Sequence, residues 1–106
     1  MKTWPVTNDR GETFAFEIPY RCFSSRSIAR HLAKIPGVKI TATRRLFQFG
    51  KDVHVRFEFR NKRFIVWESF GDSSRLWIGP EEEQPERDEL IDFLMIAVSN
   101  DSQYWW

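Results

Sequence analysis

Ser73 and Ser74, in the stretch Gly71-Asp72-Ser73-Ser74, carry hydroxyls of the kind that attack acyl groups once a histidine takes their proton, and His31 and His54 are the only imidazoles in the chain. The setting does not suit that chemistry. A nucleophilic serine of this type sits on a sharp strand-to-helix turn, whereas these two lie between apolar runs that read as paired strands. Cys22 with His31 or His54 is the other conceivable dyad, but a cysteine just ahead of a helix more often serves as a small buried hydrophobe. One cysteine and two dispersed histidines give no zinc spacing, and the five glycines fall singly at turns rather than in a phosphate-cradling pattern. The expectation is a non-enzymatic chain with no cofactor and no metal.

Binding chemistry is better represented. The segment "RFIVWESFGDSSRLWIGP", residues 63–80, carries Trp67 and Trp77 in two apolar runs on either side of the Gly-Asp-Ser-Ser turn. If that turn has an odd number of residues, Val66 pairs with Ile78 and Trp67 with Trp77, which collects both indoles on one side of a sheet. The same alternation puts Lys39, Arg45, His54, Arg56, Arg60, Arg63 and Arg75 around them. Guanidinium and ammonium groups beside aromatic rings suit carboxylates or stacked, phosphate-bearing bases, and they also form internal cation–π pairs. A second basic stripe, Arg26, Arg30 and Lys34, recurs every four residues along a helix, a spacing at which like charges repel and an anionic neighbour helps.

The elements that must position these residues follow from periodicity. Phe14, Phe16 and Ile18 alternate with polar neighbours as in a half-buried strand, ended by Pro19. Ser24 or Ser25 caps a helix whose apolar positions are Ile28, Leu32 and Ile35, and Pro36-Gly37 ends it. Val38, Ile40 and Ala42 begin the next strand, which runs toward Leu46 or Phe47. "VHVRFEFR", residues 53–60, is the clearest strand of all, and a turn at Asn61-Lys62 sends it back, placing Phe59 opposite Phe64 and Arg56 opposite Trp67. "RLWI", residues 75–78, completes the hairpin. "EEEQPERDELIDFLMIAVSN", residues 81–100, reads as a helix with Pro85 in its first turn and an apolar stripe of Leu90, Phe93, Leu94, Ala97 and Val98. Its acidic start favours the helix dipole. Tyr104, Trp105 and Trp106 are too aromatic for a free tail and are expected to pack.

The resulting order β-α-β-β-β-β-α predicts an α+β two-layer sandwich, mostly an antiparallel meander with both helices on one face, over residues 1–106 as a single domain. Such a sheet can leave its second face in water. The 106 residues are 42% hydrophobic, 16% aromatic and 29% charged, a globular composition. The net charge of +1 hides a segregation: residues 21–63 hold twelve Lys or Arg against two acids, a net of +10, and residues 64–106 net −8. Such segments form a basic binding surface or face each other within one fold. No apolar run is long enough for a membrane span, and a lone cysteine with no cleavable leader pattern points to the cytoplasm. The function expected is a small binding domain, monomeric or weakly dimeric, that engages an acidic protein partner through the basic and aromatic sheet face. The alternative is nucleic-acid binding through the same face.

Overall fold

The computed structural model describes residues 1–19, 24–43, 53–68, 75–82 and 88–101. These form six strands and two helices: β1 (Trp4–Thr7), β2 (Thr13–Pro19), α1 (Ser25–Leu32), β3 (Val38–Thr43), β4 (Val53–Phe59), β5 (Lys62–Trp67), β6 (Arg75–Pro80) and α2 (Glu89–Ser99). One antiparallel sheet runs β1-β2-β6-β5-β4-β3, and both helices pack against one of its faces in an α+β arrangement. The expected order is present, with β1 added ahead of it as an edge strand. Pro5 hides this strand from a periodicity reading, yet at an edge its missing N–H removes nothing from the ladder.

The core lies between the sheet and the helices. Phe16, Ile18, Phe57, Phe64, Val66, Leu76 and Ile78 from the strands meet Ile28 and Leu32 from α1 and Ile91, Leu94 and Val98 from α2, all essentially without exposed surface. Ser24 caps α1 by accepting the Ser27 amide at 3.0 Å, and Asp88 caps α2 by accepting the Leu90 amide at 2.9 Å. The second helix therefore begins later than its acidic approach suggests, and Pro85 lies outside the described residues. Its buried stripe is Ile91, Leu94 and Val98. Phe93 is instead 43% exposed, with its ring stacked on Phe59 at 5.6 Å.

The β4-β5 turn differs from the sequence expectation. Its central residues are Arg60 and Asn61, with φ of 49° and 65°, so Phe59 pairs with Lys62 and Phe57 with Phe64. The slip is two residues, which preserves every face while changing every partner: Arg56 lies opposite Ile65 rather than Trp67. Two successive left-handed residues match the twist a two-residue hairpin needs, a conformation usually given to Asn-Gly. Arg60 is held there by its guanidinium, which lies about 5 Å from the Phe59 and Phe93 ring centroids. Asn61→Gly should therefore raise stability by up to about 1 kcal/mol, seen as a higher urea midpoint with unchanged slope; a lower midpoint would show that the turn is not strained at Asn61.

Candidate functional site

The β5-β6 register pairs Val66 with Ile78 and Trp67 with Trp77. Across the sheet this sets Trp4, Glu17, Trp77, Trp67 and Val53 in one row on the face away from the helices. All three tryptophans are half-exposed. Trp67 and Trp77 meet edge to face, with ring centroids 5.8 Å apart. Trp4 was missed by the sequence reading because its strand was missed; the signal was the short alternation of Trp4 and Val6 ahead of the Asn8 turn.

Gly79 explains how Trp77 lies. A Cβ built at this position would stand 2.7 Å from Trp77 Cζ2 and 2.9 Å from Ala15 Cβ, so the indole rests against the strand where a side chain would otherwise be. Ala15, on the same face, is fully buried although the helices lie on the other side. Two residues before Trp77, at the start of β6, Arg75 stacks on Trp4, its guanidinium carbon 3.8 Å from the ring centroid, while its Nη1 lies 3.5 Å from Glu17. The aromatic row is thus fixed by its own neighbours.

The charged half of the face is also internally matched. Lys39, Glu58, Arg63 and Glu81 follow one another across β3, β4, β5 and the end of β6, a ladder of alternating sign. Arg56, on the adjacent row, donates to Glu81. Arg63 Nε lies 3.6 Å from the other Glu81 oxygen and Arg63 Nη2 4.0 Å from Glu82. Lys62 bonds Asp88, so part of the acidic segment answers the basic one within the fold.

Of the residues expected on this face, Trp67, Trp77, Arg56, Arg75 and Lys39 are there. Arg60 turns to the Phe59 and Phe93 rings at the hairpin end, and Arg45 lies outside the described residues, as do Cys22, Ser73, Ser74, Tyr104, Trp105 and Trp106. Arg26 and Arg30 are exposed on α1 and Lys34 is exposed just beyond its end, in the helix layer opposite the tryptophans.

His54 leaves the face altogether. The pairing shifts between Val53 and Val55, a β-bulge that turns two consecutive residues, His54 and Val55, inward. His54 is fully buried, its Nδ1 2.9 Å from Ser25 Oγ at the start of α1 and its Nε2 2.9 Å from a Glu68 carboxylate oxygen just after β5. Serine, imidazole and carboxylate in a chain form the order of a proton relay. Here the hydroxyl faces the core and the carboxylate is the more open end, so the network ties the two layers together. Deleting one member would strand a buried polar atom at a cost of about 1–3 kcal/mol.

Between the helices lies a groove of about 430 Å³ bounded by His31, Lys34, Ile35, Phe93, Ala97 and Asp101. Burial, and then Lys34 and Arg30, push the His31 pKa below its usual value against the opposing pull of Asp101. Among the described residues no three His, Cys, Asp or Glu side chains are grouped to hold a metal ion, and no helix is long and apolar enough to cross a membrane. In comparisons with known proteins, no protein-family model, no curated protein and no solved structure matches the chain.

Two measurements test this description. Gly79→Ala should displace the Trp77 indole and destabilise the fold by about 1–3 kcal/mol, with a shift in tryptophan emission; unchanged stability and emission would mean the ring does not rest there. The second concerns pH. Because the folded chain resists protonating His31, the unfolded chain binds the proton more readily, so stability is full above pH about 6.5 and falls as acid is added. His31→Gln should show a smaller loss of urea midpoint between pH 7.5 and 5.5 than the wild type, and an equal loss would assign the effect to other groups.

Proposed function

We propose that the protein is a non-enzymatic binding domain that engages a protein partner, acidic at its contact surface, through the helix-free face of its sheet. The row of Trp4, Trp77 and Trp67 carries this reading: three large, rigid and half-exposed aromatic side chains in register across four strands. Aromatic groups held in place lose little freedom on binding, and Trp and Arg are over-represented among the side chains that dominate interface energetics. Arg56 in the next row of that face and Arg63 in the row beyond it stay substantially exposed and supply the preference for carboxylates.

Nucleic-acid binding through the same face is the weaker reading. Phosphate-backbone binding draws on accumulated unmatched positive charge, and this face alternates Lys39 and Arg63 with Glu58 and Glu81. The basic stripe of α1 looks out from the other layer and does not extend the face. Polyanion binding by α1 would therefore be a separate event.

Trp67→Ala tests the reading with little risk to the fold, since Trp67 lies at a strand end and is half-exposed. A partner recovered by the wild type from native lysate should bind this variant about 30-fold more weakly, corresponding to about 2 kcal/mol for a central aromatic side chain. Equal recovery by both forms, with matched cooperative unfolding, would remove the sheet face as the interface.

A further inference from the structure

We propose that Arg56 and Arg63 form a carboxylate clamp, occupied in the free protein by the chain's own Glu81, and that an acidic side chain of the partner displaces Glu81 on binding. This rests on the sheet-face reading above and names the chemistry that the face takes. Glu81 is the observation that defines the ligand. One of its oxygens accepts from Arg56 Nη1, and the other lies 3.6 Å from Arg63 Nε, so a single carboxylate spans two guanidiniums presented by adjacent strands.

The backbone explains why the clamp exists and why it can open. Arg56 lies opposite Ile65 and Arg63 opposite Glu58, so the two arginines are diagonal neighbours on one face of the β4-β5 hairpin. Glu81 directly follows β6, and its backbone is held independently of its side chain by an amide that donates to the Arg63 carbonyl at 3.0 Å. Its side chain can therefore leave while the ladder stays intact. With Glu81 in place, Arg56 is still 46% and Arg63 67% exposed, whereas Glu81 is 26% exposed. Both arginine side chains keep open surface, so an incoming carboxylate can approach before the resident one departs. An ion pair this open contributes little net stability, and exchanging one carboxylate for another is correspondingly easy.

The surroundings set the specificity. A cleft of about 320 Å³ beside the clamp is bounded by Thr41, Ala42, Arg56, Glu58, Arg63 and Glu81, together with the Phe57 and Phe64 positions of the hairpin. Glu58 and Glu82 flank Arg63 on either side. A lone carboxylate fits between them, while a chain of closely spaced phosphates meets both as repulsive neighbours. The resident Glu81 thus lowers affinity for weakly acidic surfaces.

Titration with hexaglutamate peptide at low salt, read by calorimetry and by the side-chain Nε–H resonances of the arginines, tests the clamp in the full chain. Glu81→Gln should bind roughly fivefold more tightly than the wild type, because it loses its charge and its hold on both guanidiniums. Adding Arg56→Gln and Arg63→Gln to that variant should abolish the gain. If Glu81→Gln binds hexaglutamate no better than the wild type, or not at all, the clamp is overturned; a wild-type partner that still depends on Trp67 then leaves the sheet-face reading standing. A gain for oligodeoxythymidylate in place of hexaglutamate would overturn the choice of carboxylate ligand. Cooperative unfolding of each variant confirms that the comparison is between folded proteins.

Discussion

The pairing of Val66 with Ile78 and of Trp67 with Trp77 is the constraint on which the rest of this structure depends. Strand side chains alternate strictly, so this register assigns every residue of β5 and β6 to a face at once. Val66, Ile78, Phe64 and Leu76 go beneath the helices, where each is buried completely, and the tryptophans go to the side the helices leave open. Slipping the pair by one residue would send Trp77 into a layer filled by Phe16, Phe57 and Phe64, and would place Leu76 and Ile78 in water. Burying a side chain of that size is worth about 1.5–3 kcal/mol, so the alternative forfeits several such terms together. Gly79 reinforces the register locally, because the indole of Trp77 fits against the sheet only where the next position of β6 on that same face carries no side chain.

The charge segregation finds its physical meaning in the same sheet. The basic segment supplies Arg56, Lys62 and Arg63, and the acidic segment supplies Glu81, Glu82 and Asp88, which the β5-β6 crossing brings alongside them. Each exposed pair is worth little by itself, at most about 1 kcal/mol. Their collective effect is on placement: they draw the chain leaving β6 across the β4-β5 hairpin, and Lys62 with Asp88 joins the sheet to the start of α2. A net charge near zero thus conceals a set of contacts that orient segments rather than hold the core.

How much of this was legible depends on which physical rule governed each element. Strict alternation in β4 and the competition between odd and even loops gave the faces of the central hairpins, and those faces survive the two-residue slip at Arg60-Asn61 because parity is all they require. Partner identities did not survive, since they depend on turn conformation, and nothing local announced that an arginine would take a left-handed φ. The cation–π contacts that hold Arg60 come from Phe59 and from Phe93 of a distant helix. The bulge at His54 was invisible for a related reason: a single inserted residue leaves the polar–apolar pattern of "VHVRFEFR" intact while reversing the side to which the histidine points. Glu68 offers the one hint in the sequence, since the alternation that buries Val66 also directs this carboxylate at the strand end toward the core side.

That inward carboxylate and that inward imidazole account for each other. A buried histidine needs both ring nitrogens satisfied, and an inward glutamate at a strand end needs a donor; Ser25, at the first position of α1, completes the set. The three come from the start of a helix, a bulge in one strand and the end of the next, so the network fixes how α1 sits over the β4-β5 hairpin in a way that apolar packing alone does not. Apolar contacts tolerate sliding of a helix by a fraction of a turn, whereas hydrogen bonds of 2.9 Å on both sides of one ring do not. The molecule therefore separates its tasks between the two faces of one sheet. Below, directional bonds and close packing hold a single arrangement; above, edge-to-face indoles, a guanidinium stacked on Trp4 and open ion pairs hold the exposed row in place.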